Sequence, residues 1–173
     1  MGISTAWLLD LGGPLQAAIG HRELLQIIDL PEVFEVPCAP PYCRELIGWQ
    51  QHLVPVMDLS LRMAALPCPR KLLVIVGYLD GRSGQVGVGA ITLAAAPRKI
   101  TVDDHDALAA TAYPEWQGLA HSGFALDGCS VPVLHLSSLF GINHSAGNGM
   151  AGDAAPNVAA RRTVSPAAVF LQV

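Results

Sequence analysis

The sequence has few charged and few aromatic residues: 14% of its 173 residues are charged and 6% are aromatic. Its net charge is -4 and it has no basic stripe, which argues against a nucleic-acid partner. The longest uninterrupted apolar run, Leu72–Leu79, is far shorter than the roughly 18 residues of a membrane-spanning helix. Since 51% of the residues are hydrophobic, the surplus apolar surface is expected in cores and contact surfaces.

The sequence also lacks the cysteine spacing of a zinc site or a disulfide-rich domain. Its four cysteines, Cys38, Cys43, Cys68 and Cys129, form no CxxC pair. Buried, unreactive thiols in a reducing compartment are the favoured interpretation, with no metal and no cofactor. Residues 1–7 show neither the basic region nor the apolar stretch of a signal peptide, so a cytoplasmic location is expected.

No constellation typical of catalysis is present. The sequence has no Gly-x-Ser-x-Gly motif, and the glycines of residues 87–92 lack the third glycine of a dinucleotide fingerprint. The acids of residues 103–106 are better explained as the start of a capped helix than as metal ligands. One enzymatic alternative stays open, a hydrolytic or ligand-binding barrel in which these acids converge with His52 and His135.

A Val-Pro-Val motif occurs twice, around Pro55 and around Pro132, with a leucine at the same offset after it. The repetition predicts two related β units. Proline cannot donate to a sheet ladder, so each proline is expected at an edge, a bulge or a strand start, and each copy would mark an exposed edge. Asp58 of the first copy aligns with His135 of the second, so the two copies differ chemically at this position.

Hydrophobic patterning and turn residues predict a mainly β chain. Residues 21–28 form either a helix or a strand, residues 36–41 an extended connector, and residues 107–112 a short helix capped by residues 101–106. The glycines at 84, 87 and 89 suggest close backbone approach in a small barrel. Strands are predicted over 7–11, 15–19, 46–49, 53–59, 72–79, 85–93, 119–126 and 131–136, with turns at 12–14, 50–51, 80–84 and 127–128.

The chain beyond the last predicted strand has a different composition. Residues 141–160 are mostly Gly, Ala, Asn and Ser, which predicts a flexible linker. The apolar residues 167–173 are a docking peptide, a returning strand or a frayed tail. The sequence thus predicts one domain over residues 1–140, with one subdomain over about 15–65 plus swapped strands and the other over about 70–135.

In order and spacing, these features resemble the CheW-like domain, the adaptor module of bacterial chemotaxis signalling. The proline connector of residues 36–42 precedes Leu46-Ile47 and then Leu53-Val-Pro-Val-Met-Asp-Leu59, which is similar to the family's "VPV-DL" strand. Residues 72–76 and 86–88 resemble the hairpin of the second subdomain, and residues 133–140 its closing segment. The resemblance implies an all-β fold of two intertwined, five-stranded SH3-like barrels around a shared core.

The resemblance implies a non-catalytic scaffold that couples a chemoreceptor tip to the regulatory domain of a CheA-type histidine kinase, with possible association of CheW-like domains with one another. It would lie in the cytoplasm, held at receptor arrays by its partners, without membrane insertion and without nucleic acid. The candidate residues for protein interaction are Leu24, Gln26, Glu45, Trp49, Gln50, Val54, Pro55, Asp58 and Val88. Trp49 is equally compatible with an interface anchor and with a core residue.

Three positions depart from the family pattern. Gln50 replaces the family's arginine, Gln26 falls on a glutamate position that faces partners, and Ile91 falls on an aspartate position. Gln50 keeps hydrogen-bonding ability but loses charge and bidentate geometry. The alternative hypothesis is therefore a specialised adaptor, for instance of a pilus or surface-motility pathway, with a changed choice of partner.

Overall fold

The computed structural model describes residues 2–29, 32–81, 83–109 and 113–141. The predicted linker and the apolar residues 167–173 lie outside the described residues, apart from Gly141. Within the described part the chain is mainly β, as predicted, and none of its helices is long and apolar enough to cross a membrane. The strands are β1 Ile3–Gly12, β2 Leu15–Gly20, β3 Leu24–Asp29, β4 Phe34–Glu35, β5 Glu45–Trp49, β6 His52–Met57, β7 Leu72–Leu79, β8 Val86–Leu93, β9 Arg98–Asp103, β10 Ala107–Ala109, β11 Ala120–Leu126 and β12 Cys129–Leu134; the helices are α1 Leu59–Ala64 and α2 Leu136–Phe140.

The strands form two six-stranded sheets with the same arrangement of parallel and antiparallel neighbours. The first sheet has the order β3-β7-β8-β6-β5-β4, and the second has the order β9-β1-β2-β12-β11-β10. In each sheet an antiparallel hairpin meets a proline-containing strand in parallel, β8 against β6 and β2 against β12. The two curled sheets confirm the expected pair of SH3-like units, although a short outer strand, β4 or β10, brings each sheet to six strands rather than five.

The two prolines lie inside their sheets and not on exposed edges, which corrects the expectation drawn from the repeat. Strand β6 lies between β5 and β8, and β12 lies between β11 and β2. The parallel ladders begin only at the next residue, with Val56 opposite Ala90 and Val133 opposite Ala18. Each proline therefore lies one residue before its strand begins to pair with the parallel neighbour. At that position the parallel ladder requires no N–H from the proline.

Three apolar clusters hold the sheets together. One lies within the first sheet and includes Ile47, Val54 and Ile75, and a second lies within the second sheet and includes Leu8 and Phe124. The third and largest cluster, the shared cluster, contains residues of both sheets. Residues alternate along β7: Leu73 and Ile75 belong to the first-sheet cluster, whereas Val74 and Val76 belong to the shared cluster. The prediction that β7 is buried on both faces is confirmed.

Two equivalent hairpins have the tight turns that the sequence predicts. Gln50 and Gln51 connect β5 to β6, and Asp127 and Gly128 connect β11 to β12. All four have positive φ, at 45°, 66°, 50° and 77°. Two consecutive left-handed residues match the right-handed twist of a two-residue hairpin. Gly128 adopts this backbone without strain, whereas Gln51 carries a side chain there.

Some local predictions were wrong, and others are now resolved. Residues 107–109 pair as strand β10 rather than forming a helix, and Asp103 caps only a single 3-10 turn by accepting a hydrogen bond from the His105 amide at 3.1 Å. Residues 21–28, left open between helix and strand, contribute β3. The 36–41 connector is not fully extended, because Cys38 has a φ of 63°. Helices α1 and α2 were not foreseen because single short turns have no periodic pattern.

Glycines in β8 allow aromatic rings to lie on the strand. A Cβ at Gly87 would overlap the ring of Tyr78, and one at Gly89 would overlap the ring of Phe140. The two rings stack on each other with centroids 5.8 Å apart. Close approach at these glycines is thus confirmed, with side chains over the backbone as its cause.

Candidate protein-interaction surface

All nine residues predicted for protein interaction lie on the first sheet or directly after it. Leu24 and Gln26 belong to β3, Glu45 and Trp49 to β5, and Val88 to β8; the others are Gln50 in the hairpin turn, Val54 and Pro55 in β6, and Asp58 after β6. The structure therefore gathers them on one half of the molecule. Their individual environments separate surface residues from structural ones.

Trp49 is half-buried and contributes to both core and surface. Its ring packs against the first-sheet cluster, and its indole N–H donates to Oε1 of Gln26 over 2.7 Å. Strands β3 and β5 are separated by three strands in the sheet order, so this hydrogen bond joins the two ends of the curled sheet. Gln26 is thereby engaged within the fold.

Glu45 is also engaged within the chain. Its carboxylate forms an ion pair with Arg70, and both side chains are about three-quarters buried. The Nε atom of Arg70 is buried without a hydrogen-bond partner among the described residues. Glu45 is therefore committed to holding the segment before β7 against β5, since a partly buried carboxylate is costly to leave unpaired.

Two of the predicted residues are structural. Val54 is 1% exposed within the first-sheet cluster, which corrects the expectation that it faces a partner. Asp58 accepts hydrogen bonds from the amide of Leu61 at 2.9 Å and from the amide of Cys68 at 3.0 Å. It caps α1 and fixes the following loop, so its carboxylate is not free to bind a partner. Replacing either residue would test folding rather than docking.

The remaining candidates are at the surface to differing extents. Gln50 is exposed at the tip of the β5–β6 hairpin. Leu24, Pro55 and Val88 are half-buried; Leu24 packs against the shared cluster and Val88 against the first-sheet cluster. Trp49, Gln50 and Val88 are thus the predicted residues whose exposed atoms and local packing best suit a contact surface.

Sequence reasoning missed an apolar pair that extends this surface. Leu79 and Val86 face each other at the end of the β7–β8 hairpin and are 65% and 74% exposed. They lie two rows beyond Val88, on the same face of the hairpin. Apolar side chains continue to the hairpin end of both strands, to Leu79 in β7 and Val86 in β8, but this pattern alone does not separate core from surface. Exposed apolar pairs of this kind are typical of interaction sites.

A second exposed apolar area lies on the outer face of the same sheet. Phe34 of β4 is 52% exposed and lies opposite half-buried Leu46 of β5, which in turn lies opposite Pro55 of β6. Two rows further, on the same face, Leu53 is 69% exposed opposite Gly48. This outer face, defined by Phe34, Leu46, Gly48, Leu53 and Pro55, was not predicted.

The residues of the enzymatic alternative are placed in different parts of the fold. His52 begins β6 in the first sheet, whereas His135 follows β12 in the second. The His135 ring bonds to the hydroxyls of Ser137 and Ser138 at 3.0 and 2.6 Å, and its centroid is 5.7 Å from that of His121. Among the residues that the structure describes, no three His, Cys, Asp or Glu side chains converge as metal ligands.

The cysteines of the described chain are all free thiols. Cys68 is buried, and burial together with the nearby Asp58 carboxylate raises its pKa to about 11. Burial also raises the pKa of Cys43. A raised pKa keeps the thiol protonated and slows its reactions as a nucleophile. The favoured interpretation of buried thiols applies to Cys68 but not to Cys38 and Cys129, which are exposed.

Comparison with known proteins shows a similarity to one family in part of the sequence and in the fold. The model of the CheW-like domain matches residues 6–87. Among solved structures, the chain is similar to the scaffolding protein TtCheW from Thermoanaerobacter tengcongensis, with 15% identity and a TM-score of 0.66 over 82% of this chain and 95% of that one. The search of curated proteins gave no match.

Proposed function

We propose that this chain is a CheW-like protein and acts as a non-catalytic adaptor of chemotaxis-type signalling, coupling chemoreceptors to a CheA-type histidine kinase. The observation that carries the proposal is the two-sheet fold, shared with a CheW scaffolding protein over 95% of that protein's length. Its site of action would be the cytoplasm, at receptor arrays reached through its partners. Residues 1–140 would act as one domain.

The docking surface that we propose combines Trp49, Gln50 and Val88 with the exposed pair Leu79 and Val86. Half-buried Trp49 provides an aromatic anchor, and the apolar pair provides area that a partner can remove from water. Charge is absent from these five positions, so we expect the contact to depend little on ionic strength. This property separates it from a salt-bridged interface.

The test is a titration of the full chain with the kinase regulatory domain and with the receptor tip from the same organism. We expect the double variant L79E/V86E to weaken binding by about 100-fold, since that factor corresponds to about 2.7 kcal/mol and the loss of a hot spot costs about 2 kcal/mol or more. Ile3→Glu is the matched control, because Ile3 is 74% exposed on the second sheet, and it should change nothing. Failure of the unaltered chain to bind either fragment would contradict the proposal.

A specialised adaptor remains the second candidate, and Gln50 is the residue that favours it. Of the three neutral departures, Ile91 is buried in the shared cluster, and the side-chain oxygen of Gln26 accepts a hydrogen bond from Trp49. Gln26 and Gln50 are both exposed, and Gln50 lies at the tip of the β5–β6 hairpin. Changing Gln50 to Arg should strengthen binding to a general chemotaxis kinase by roughly tenfold, as expected for one charged hydrogen bond. Unchanged affinity would show that this position does not set partner choice.

A further inference from the structure

Four strands lie at the ends of the two sheets, and they differ in how well another strand can pair with them. Strands β4 and β10 have only two and three residues. Strand β3 has six residues, but its register with β7 is irregular between Leu24 and Gln26. Strand β9 has six residues in an unbroken register with β1 and contains no proline. Within the described part of the chain, β9 is thus the longest regular edge, and regular edges are templates for pairing with another chain.

The outward side of β9 is formed by the backbone of Lys99, Thr101 and Asp103. In an antiparallel ladder, residues that bond to one neighbouring strand alternate with residues that face the opposite side. The Asp104 amide donates to the Gly2 carbonyl at 3.2 Å and so continues the ladder between β9 and β1. Every second residue counted back from Asp104 therefore faces β1. The intervening residues direct N–H and C=O groups away from β1, where the described residues place no further strand.

The side chains of this edge form an inverted repeat of charge. From residue 98 to residue 104 the sequence is Arg-Lys-Ile-Thr-Val-Asp-Asp. Two basic residues come first, two acidic residues come last, and one aliphatic residue lies on each side of the central Thr101. Read in the opposite direction, each charge meets a charge of opposite sign, and each aliphatic residue meets another. The edge is therefore complementary to an antiparallel copy of itself.

The charged groups of the edge are available to a second strand. Arg98 and Lys99 are exposed, and neither forms an ion pair with any other described residue. The carboxylates of Asp103 and Asp104 each accept one backbone amide through a single oxygen, at 3.1 Å and 2.7 Å. An ionised carboxylate has two accepting oxygens. Each acid can therefore also accept from a basic side chain.

We propose that two copies of this chain associate through β9, which pairs antiparallel with β9 of the second copy about a two-fold axis at Thr101. In this register every charged residue lies opposite one of opposite sign, and the pairs across the axis are Lys99 with Asp103, Arg98 with Asp104, and Ile100 with Val102. The axis produces each pair twice, and the second sheets of both copies become one continuous sheet. Either neighbouring register that keeps the backbone hydrogen bonds would place two charged residues of each copy opposite uncharged ones.

The association is expected to be weak and sensitive to salt. One pair of six-residue strands buries less area than a standard interface of about 1,200–2,000 Å². Charge pairs at an exposed edge are screened as the ionic strength rises. This behaviour differs from that expected of the uncharged surface proposed for the kinase and the receptor. The inference does not rest on the adaptor function, and its tests need this chain alone.

The first test is sedimentation equilibrium of the full chain at low and high ionic strength. Lys99→Glu and Asp103→Lys should each weaken the dimer at least about tenfold, because each replaces two attractive pairs by two repulsive ones. An equimolar mixture of the two variants should dimerise about as well as the unaltered chain, because the mixed dimer again has opposite charges in both pairs. Arg22→Glu is the control, since exposed Arg22 lies outside β9, and it should leave the dimer unchanged.

The second test measures the register without changing a charge. The axis places Thr101 opposite itself, and bonded antiparallel pairs have Cα atoms about 5.5 Å apart, which is within the range of a disulfide. Mild oxidation of Thr101→Cys should therefore join two copies, and peptide mapping should locate the bond at position 101. Ala125→Cys is the control, because Ala125 is exposed on β11, which has a strand on both sides. It should form no such bond.

Four results would overturn the proposal. The unaltered chain could stay monomeric at every concentration and ionic strength, or its dimer could be insensitive to Lys99→Glu. The mixture of folded variants could remain monomeric, or a disulfide could form at position 125 as readily as at position 101. Because Asp103 also caps a 3-10 turn, the disulfide test decides the register if Asp103→Lys does not fold. None of these results depends on a kinase or a receptor, so failure here is distinct from failure of the adaptor proposal.

Discussion

The first and second sheets share strand order, hairpin turns and a parallel junction at a proline strand, yet they differ in the side chains at equivalent positions. The first uses Asp58 as a cap, a Gln-Gln turn and an open outer face; the second uses His135, an Asp-Gly turn and a face covered by Tyr113. The comparison teaches that topology and the alternation of buried residues preserve the repeat. Caps, turns and covers are free to diverge, because each affects only its own neighbourhood.

The largest contrast is expected between two strand glycines. Gly123→Ala should lower the free energy of unfolding by about 3 kcal/mol, because its Cβ would overlap the buried Tyr113. Gly48→Ala in the equivalent strand should stay within about 0.5 kcal/mol of the unaltered chain, because nothing lies near its Cβ. Urea titration of both variants measures the contrast. Equal losses of unfolding free energy in the two variants would contradict the difference between a covered face at Gly123 and an open face at Gly48.

The next contrast lies between the two residues that follow the proline strands. Asp58→Ala should cost about 2 kcal/mol, since the amides of Leu61 and Cys68 both lose an acceptor. His135→Ala should cost under about 1 kcal/mol, since His135 is exposed and its ring bonds only to the hydroxyls of Ser137 and Ser138. Asp58→Asn is the control for Asp58, because its amide oxygen retains one acceptor. A greater loss at His135 than at Asp58 would reverse the comparison.

The two hairpin turns should respond in opposite directions to exchange of one residue. Gln51→Gly should stabilise the chain by about 0.5–1 kcal/mol, because glycine adopts a φ of 66° without a Cβ penalty. Gly128→Gln should destabilise it by about 1 kcal/mol for the same reason. Thermal unfolding of both variants is sufficient. Destabilisation by Gln51→Gly would contradict this prediction and would indicate that the Gln51 side chain makes a stabilising contact.

The smallest effect concerns the thiols. At pH 8, Cys68 should react with a thiol reagent much more slowly than exposed Cys129, because the Cys68 pKa is raised to about 11. The folded state holds the Cys68 proton more tightly than an unfolded chain with the usual value of 9.0, so this contribution to stability is complete below pH 9 and is lost as the pH rises toward 11. Comparable labelling rates would contradict the burial of Cys68.

The sequence allowed most strands and hairpins to be predicted, because β-branched runs and turn residues are local signals. It misplaced residues 107–109, because acids before an alanine run favour a helix cap, while pairing with β11 is a tertiary effect. Of the candidate site, Gln50 and Trp49 were predicted from the resemblance, and their role in binding stays a prediction. Val54 and Asp58 could not be recognised as structural, because burial and the reach of one carboxylate to Cys68 depend on the folded chain.

The exposed pair of Leu79 and Val86 was missed for a related reason. Apolar residues at strand ends predict core as readily as surface, and only the fold shows that these two extend beyond the first-sheet cluster. The open face around Leu53 was missed in the same way, since the apolar run of β6 gives no indication of which face the other half of the chain will cover.

The most direct measurement of the central claim is the autophosphorylation rate of the histidine kinase in a reconstituted mixture with its receptor, titrated with this chain. An adaptor should raise the rate to a plateau in the presence of receptor and leave it unchanged without receptor. The L79E/V86E variant should shift the titration to about 100-fold higher concentration, while Ile3→Glu should reproduce the unaltered curve. A rate that does not depend on the chain at any concentration would contradict the adaptor function.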